Sequence, residues 1–439
     1  MRVIDTSQSE VHTGGMRASS AGPAVVVPLT RRPAFLVFWA GQGVSQLGAQ
    51  LGQLALPVLA VSLLGASEMD LGVLNAASMA AFLVVGLPAG AWVDRWLKRR
   101  TMIRADLVRM TAMLAVPLLW WAGVLQMWHL FAVAAVVGVA TVFFDVSYQS
   151  YVPVLVDREL VADANGKLEA TAQVSRLGGP ALGGFILTVV SAPLLFAGEA
   201  LGYLVSALCL LRVSDSEVKP ERVEGSRLSR EIREGATFVV GHPLIRRVVL
   251  STAIGNLFSS ITYVLMPLVI LRELGFGPAG FGTMLSIGSV GGLLGALAAP
   301  RLASRLGEGP LLPLGLTVGG AAVVLFPIAL AAGPGPLALG LLSAGEFVMS
   351  FGIIVFNVMQ VSMRQRVCPP RLLGRMNASI RCLVWGVMPI GSLVGGWLGG
   401  QLGIAPTLWV GIVGQLLACV PVATGPFFRL RRLPDAQGE

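Results

Sequence analysis

A chain of 439 residues that is 55% hydrophobic and 13% charged, with a mean hydropathy of +0.77, carries too little charge for a soluble domain, where about a quarter of residues are charged. The net charge of +9 does not indicate a nucleic-acid partner, because the 32 Lys and Arg sit in short segments between apolar runs instead of on one polar face. Cys209, Cys368, Cys382 and Cys419 stand singly in or beside apolar runs, so neither a disulfide framework nor a zinc site is expected, and the absence of a Gly-x-x-x-x-Gly-Lys phosphate loop leaves no usual route to ATP hydrolysis. No metal or cofactor is expected.

In chain order, residues 1–33 read as a polar tail whose one apolar patch, Val25 to Leu29, is too short for a signal-peptide core, so this end is expected in the cytoplasm. Twelve apolar runs follow, each near the roughly 20 residues a membrane-spanning helix needs. They cover 34–62, 70–93, 101–122, 127–151, 164–190 and 194–211, then 246–271, 279–300, 310–331, 337–360, 374–400 and 405–427. Charge placement tests the number, since an error of one span would scatter basic residues to both sides of the membrane. With twelve spans, Arg272 alone of the 32 basic residues falls near an outer loop, and both termini are cytoplasmic.

The clearest boundary is in the stretch GLPAGAWVDRWLKRRTMIRADLVR. A run without charge from Leu71 to Val93 stops at Asp94, and Arg95, Lys98, Arg99, Arg100 and Arg104 follow directly, marking a cytoplasmic turn between two spans. Further on, residues 213–243 form the longest inner loop. There Leu228, Ile232 and Val239 share one helical face with charged residues around them, a pattern suited to lying on the membrane surface or to a solvated linker helix.

The chain repeats. At an offset of 210, Pro57, Gly65, Gly72 and Arg95 match Pro267, Gly275, Gly282 and Arg305; at 212, Leu160, Asn165, Gly183 and Gly184 match Leu372, Asn377, Gly395 and Gly396. The expected fold is therefore an all-α membrane protein of twelve transmembrane helices in two pseudo-symmetric six-helix halves, 34–212 and 244–427, with a tail at 428–439. Such halves place a substrate site near the bilayer midplane between them.

Gly90-x-x-x-Asp94-Arg95-x-Leu97-Lys98-Arg99 resembles the signature between helices 2 and 3 of the major facilitator superfamily. Gly179-Pro180-x-x-Gly183-Gly184 in the fifth span resembles the antiporter signature of its drug-export members. The phrases YVPVLVDRELVADANGKL and IREGATFVVGHPLIRR, and the run from Arg104 through Asp106 to Arg109, resemble the subgroup of macrolide-efflux and enterobactin-export carriers. The resemblance covers nearly the whole chain. It implies proton exchange through the fifth span, and a cytoplasmic gate in which Asp94, allowed close by Gly90, faces the start of the eleventh span near Pro370, Arg371 and Arg375. Two features depart from the pattern: Leu97 replaces the second signature glycine, though Gly307 is kept in the second half, and the fourth span, around Trp128 to Gly138, carries His129 but no arginine, which many proton-coupled relatives have there.

Polar side chains inside spans narrow the candidates. Gln42, Gln46, Gln50 and Gln53 fall on one stripe of the first span, and Asn256, Ser259, Ser260 and Tyr263 on a similar stripe of the seventh, where they line a central cavity or glue helices together. Phe143, Phe258 and Trp385 could add apolar surface for a large amphipathic ligand, or simply pack. A charge at the bilayer centre costs roughly 2.5 to 3.5 kcal/mol or more unless paired or wet. Glu346 with Arg381, and Asp145 with Arg176, are the candidate pairs for proton coupling or for structural ion pairing, with Glu169 and Glu199 nearer the span ends. Around Pro180, the glycines Gly179, Gly183 and Gly184 permit a bend and close packing.

These features describe a secondary carrier exporting a hydrophobic or amphipathic small molecule by alternating access, with protons as coupling ion and the bilayer as environment, working as a monomer. The alternative is an uptake, uniport or lipid-moving protein of the same fold. His12, His129 and His242 are isolated, which argues against a membrane-embedded enzyme, and two unlike halves argue against a channel ring. The topology has a direct measurement. In a background lacking the four native cysteines, a cysteine at Ser67 should react with an impermeant maleimide in intact cells and one at Ser226 should not; equal labelling overturns the twelve-span arrangement.

Overall fold

Apolar segments of this length must satisfy every backbone amide internally, so they coil into helices. The computed structural model describes residues 28–93, 95–214, 217, 228–369 and 372–432, and among these only helices and turns occur. The first part of the chain forms α1 (Pro33–Val58), α2 (Glu68–Val84), α3 (Gly86–Val93), α4 (Lys98–Trp121), α5 (Met127–Leu155), α6 (Val161–Ile186) and α7 (Ala192–Arg212). Then come α8 (Leu228–Gly241), α9 (Pro243–Tyr263), α10 (Met266–Leu268), α11 (Gly277–Leu306), α12 (Leu311–Ala322) and α13 (Leu325–Ala332). The last are α14 (Pro336–Val367), α15 (Leu373–Trp385), α16 (Val387–Leu402), α17 (Ile404–Leu417) and α18 (Val420–Ala423).

Where a long run divides into two helices, a proline is responsible. It lacks the amide that would bind the carbonyl four residues earlier. Thus α2, α9, α15 and α17 end at Val84, Tyr263, Trp385 and Leu417, each four residues before Pro88, Pro267, Pro389 and Pro421. Joined across such breaks, nine helices among the described residues are long and apolar enough to cross a membrane. The runs expected at 70–93, 101–122 and 164–190 are not among them. The first divides at Val85 into α2 and α3, α4 carries Arg104, Asp106 and Arg109 within its length, and α6 is rich in polar and small residues. Side chains such as Trp121, Val174, Phe185 and Val189 stand exposed on the outside of the bundle, as a lipid-facing surface requires.

The sequence repeat is also a repeat of local geometry. After Pro57 the chain winds into one wide turn, Leu59–Leu63, in which the Leu64 amide reaches back five residues to the Leu59 carbonyl at 3.2 Å; Gly65 follows at φ +64°. After Pro267 the turn Val269–Glu273 ends the same way, with the Leu274 amide on the Val269 carbonyl at 2.9 Å and Gly275 at φ +64°. Both glycines occupy a left-handed conformation that a side chain would strain.

The region 33–212 and the region 243–423 meet mainly through α2 on α16 and α6 on α11. Each crossing is a contact between two glycines. A Cβ on Gly72 would lie 3.3 Å from the Gly396 Cα, and a Cβ on Gly184 would lie 3.2 Å from the Gly282 Cα. Gly72 is the repeat partner of Gly282 and Gly184 that of Gly396, so the two contacts are one contact made twice. Beside the first, the Arg272 guanidinium pairs with Glu68 at the start of α2. The only basic residue expected near an outer loop is therefore the one that ties the two regions together there.

Of the amphipathic stripe expected to lie on the membrane, Val239 of α8 is buried with Ile245, Met376 and Ile380 against α9 and α15, so this part of the stripe meets protein and not lipid. The side chains of Leu228 and Ile232 lie outside those described, as does Ser226. The sharp corner at His242, whose Nδ1 accepts from the Ile245 amide at 3.4 Å, folds α8 back onto the bundle. Burial pulls this imidazole below its ordinary value, which keeps Nδ1 free to accept.

A leucine at Gly184 should force α6 and α11 apart at this end. Spin labels at Thr188 and Thr283 should then report a distance longer by about 2 Å or more, toward the roughly 8 to 10 Å interaxial spacing of helices with larger contact residues. An unchanged distribution would show that the glycine crossing does not set this separation.

Candidate functional site

Glu346 lies ten residues into α14 from Pro336, about 15 Å along the helix axis, and is 5% exposed. Gly288 of α11 leaves the room its side chain fills; a Cβ there would meet the Glu346 Cγ. The Tyr263 hydroxyl at the end of α9 sits 2.8 and 2.6 Å from the two carboxylate oxygens and 3.4 Å from the Met349 sulfur. No cation pairs with this carboxylate among the described residues. Arg381, the partner expected from depth alone, is exposed on α15, its guanidinium 5.2 Å from the centroid of the Trp385 ring. Two positions at similar depth need not face each other, and here a residue read as cavity lining holds the acid.

The second expected pair also separates. Asp145 on α5 feels the positive charges of Arg109 on α4 and Arg381 on α15. Arg176 is exposed on α6, with its backbone carbonyl accepting from the Ser289 hydroxyl at 3.2 Å. The reason lies in helix placement, since α6 packs chiefly on α1 and α11 and touches α5 little.

A buried network in α4 and α7 escaped the sequence reading. Arg109, 5% exposed, lies between the rings of Phe144 and Tyr203 at 4.1 and 4.3 Å and pairs with Asp106, which is fully buried. The Tyr203 hydroxyl donates to Glu199 at 2.7 Å, and Glu199 occupies space left by Gly52 of α1. A signal existed: Arg109 is eleven residues into α4, about 16 Å deep, and Asp106 precedes it by three, so the two share a face. The dense basic turn before them disguised both as its tail.

The glutamine stripe divides among neighbours. Gln42 is buried and donates to the Ser206 hydroxyl of α7 at 3.2 Å, Gln50 packs on Gly179 of α6, Gln46 is half-buried and Gln53 is exposed. Opposite, the Asn256 amide donates to the Val384 carbonyl at 2.9 Å, Ser259 donates to the Asn256 carbonyl of its own helix at 3.1 Å, and Ser260 is buried against α16 at Gly391. Thr252, Asn256, Ser259, Asn357 and Gln415 supply the polar groups of a small cleft of about 80 Å³ that Leu316, Ile353 and Phe356 also line. Of the aromatic candidates, Trp385 meets Phe82 of α2 edge-on at 5.6 Å, joining the two regions. Phe258 packs over Gly414 of α17, and Phe143 stacks with Trp92 and Trp96.

In the fifth-span motif, Gly179 and Gly183 face Gln50 and Leu51 of α1, while Gly184 and the Pro180 carbonyl face Gly282 of α11. Within the gate motif, Asp94, Pro370 and Arg371 lie outside the described residues. Arg95 is exposed. The amides of Lys98 and Arg99 bind the Glu217 carboxylate at 2.6 and 3.1 Å, and the Arg99 guanidinium donates to the Leu210 and Leu211 carbonyls at 2.7 Å each, fastening the start of α4 to the end of α7. Arg375 pairs with Glu234 of α8. Among the described residues no group of three His, Cys, Asp or Glu could hold a metal ion.

Residues 24–437 match the family described as Transmembrane secretion effector. The chain is 23% identical over 414 residues to macrolide efflux protein A of Streptococcus pyogenes, covering 91% of this chain and 97% of that protein. It is 26% identical over 407 residues to the multidrug efflux pump Tap of Mycobacterium tuberculosis, covering 89% and 90%. Among solved structures, a bacterial homologue of the iron transporter ferroportin in an inward-facing state superposes with a TM-score of 0.70 at 18% identity, over 89% of this chain and 98% of that one.

Arg109→Leu should strand Asp106 without a counter-charge and lower stability by about 3 to 5 kcal/mol, read as a loss of melting temperature in detergent. Adding Asp106→Leu should recover a large part of that loss. Equal melting of the single and double variants would show that the pair is not what holds α4 and α7 in place.

Proposed function

The chain belongs to the transmembrane secretion effector family of the major facilitator superfamily and is a multi-pass membrane transporter of small molecules, not an enzyme; from that premise we propose that it exports a hydrophobic or amphipathic compound in exchange for protons. Twelve helices in two six-helix halves, with both termini cytoplasmic, rock about a midplane cavity in a single subunit. The direction is supported by the two relatives, both of them efflux proteins.

The observation that carries the coupling is Glu346. A carboxylate buried in a span with only a phenol for partner is best tolerated neutral, and an environment that hydrates it or brings a cation near favours release of that proton. Asp145 supplies the counterpart, because its charge is shared between Arg109 of its own half and Arg381 of the other. Moving the halves changes the second of these and not the first. The glycine crossings and the Glu68–Arg272 pair close one end of the bundle, which in this reading is the outer end, so the arrangement corresponds to an inward-facing state. Asp94 and Arg375 would act at the opposite end, with Glu234 holding Arg375 while that end is open.

In proteoliposomes loaded with a macrolide, an imposed proton gradient should drive efflux, and Glu346→Gln should cut gradient-driven flux by about tenfold or more while leaving gradient-free exchange of the same macrolide in place. Asp145→Asn should act in the same direction. Full gradient-driven flux in both variants would remove these acids from the coupling, and no response of wild-type flux to the gradient would favour the uniport or lipid-moving alternative.

A further inference from the structure

The faces that α4 and α5 turn toward each other are unusually poor in bulk. On α4 the face carries Thr101, Arg104, Ala105 and Val108, at helical spacing i, i+3, i+4 and i+7. The antiparallel α5 answers with Ala135, Val139 and Phe143 among its lining residues. Small side chains on both sides leave a cleft of about 570 Å³, within the size range of ligand sites. Its lining residues include none of the polar groups assigned to transport, and of the aromatic cavity candidates only Phe143 is shared. It is open to the surface at Val108 and Val136, which are 44% and 45% exposed.

One end of this apolar cleft is charged. Arg104 is exposed there and makes no hydrogen bond or ion pair with any described residue. Arg95 and Arg100, close by in the chain, are also exposed. Among the described residues, the Glu217 carboxylate beside this turn is already taken by the amides of Lys98 and Arg99. Trp96 closes the same end, stacked on Phe143 at 5.9 Å, and Trp92 stacks on Phe143 at 6.0 Å. Indole rings beside arginines are the composition of a helix end at the level of lipid headgroups. Arg104, about 9 Å along α4 from Lys98, reaches that level only by extending its side chain toward the water, the direction of the mouth.

We propose that the α4–α5 cleft binds an anionic phospholipid, one acyl chain lying along the Ala and Val surface and the phosphate held by Arg104. Charge complementarity selects this occupant. A neutral hydrophobic molecule would leave the arginine unanswered, and a zwitterionic headgroup would bring a second cation into a cluster that already has several. Trp92 and Trp96 belong to the turn that carries the gate motif, so an occupied cleft would brace that turn from the lipid side.

The test uses the full chain purified in detergent and native mass spectrometry with phosphatidylglycerol or phosphatidylcholine added at equal concentration. Wild type should retain phosphatidylglycerol in preference. Arg104→Gln should lower retention by about fivefold, the factor for removing one basic residue near a lipid surface. Arg104→Lys should keep most of it, and Arg246→Gln, which removes an exposed cation outside the cleft, should keep all of it. Val136→Trp should fill the cleft and lose the lipid while leaving all cations in place, which holds the proposal open to test even if Arg104→Gln folds poorly. Equal retention of the two lipids by wild type, unchanged retention in Val136→Trp, or displacement of the lipid by saturating macrolide would each overturn it. The last outcome would make the cleft a vestibule for transported compounds.

Discussion

A charge inside a bilayer has to be answered within the protein, and this requirement organises the interior of the bundle. Among the described residues of the first region Arg109 is the single buried cation, around which Asp106, Asp145 and Glu199 are disposed, and two aromatic rings complete its shell. Those of the second region form no such centre. Glu346 there is answered by the hydroxyl of Tyr263 alone. Both regions use a tyrosine against a glutamate seated over a glycine, yet only one supplies a counter-charge, so the two halves of the sequence repeat are not equivalent in electrostatics even where their shapes agree.

The second constraint is distance. Two helices approach closely only where neither carries a side chain at the contact, and between the two regions the fold places that condition twice, at Gly72 with Gly396 and at Gly184 with Gly282. Contacts of that kind are made of dispersion and lack of hindrance, without hydrogen bonds that would have to be broken to part the helices. The Glu68–Arg272 pair beside them is partly exposed and contributes little by itself. Such an interface is stable when closed and inexpensive to separate, which suits a carrier whose halves are proposed to move against each other.

Helix ends matter as much as helix middles. The arginine and amides at the start of α4 are joined to α7 and to the linker residue Glu217, and Arg375 is joined to α8. Signature residues that the family resemblance assigns to a gate are thus also the fasteners between the helices and the connecting segment. Glu217 and α8 are consequently part of the mechanical assembly.

By itself the sequence determined the class of molecule: apolar runs bounded by basic turns require a membrane and helices, and the glycine and proline positions at constant offset announce a repeat whose turns at Gly65 and Gly275 share one geometry. These are properties of single segments, set by solvation and by local backbone freedom. Pairing of charges was not legible in the same way. Depth along a span, which residue numbers do report, said nothing about the azimuth at which Glu346 or Asp145 points, so Tyr263 and Arg109 took the places expected for Arg381 and Arg176. Likewise the four glutamines share a stripe by periodicity but meet different neighbours, because α6 and α7 press on the first helix at different heights. Partners across helices depend on how rods of similar composition are rotated and packed together, and that rotation is decided by the sum of all interhelical contacts. Only the tertiary structure contains it.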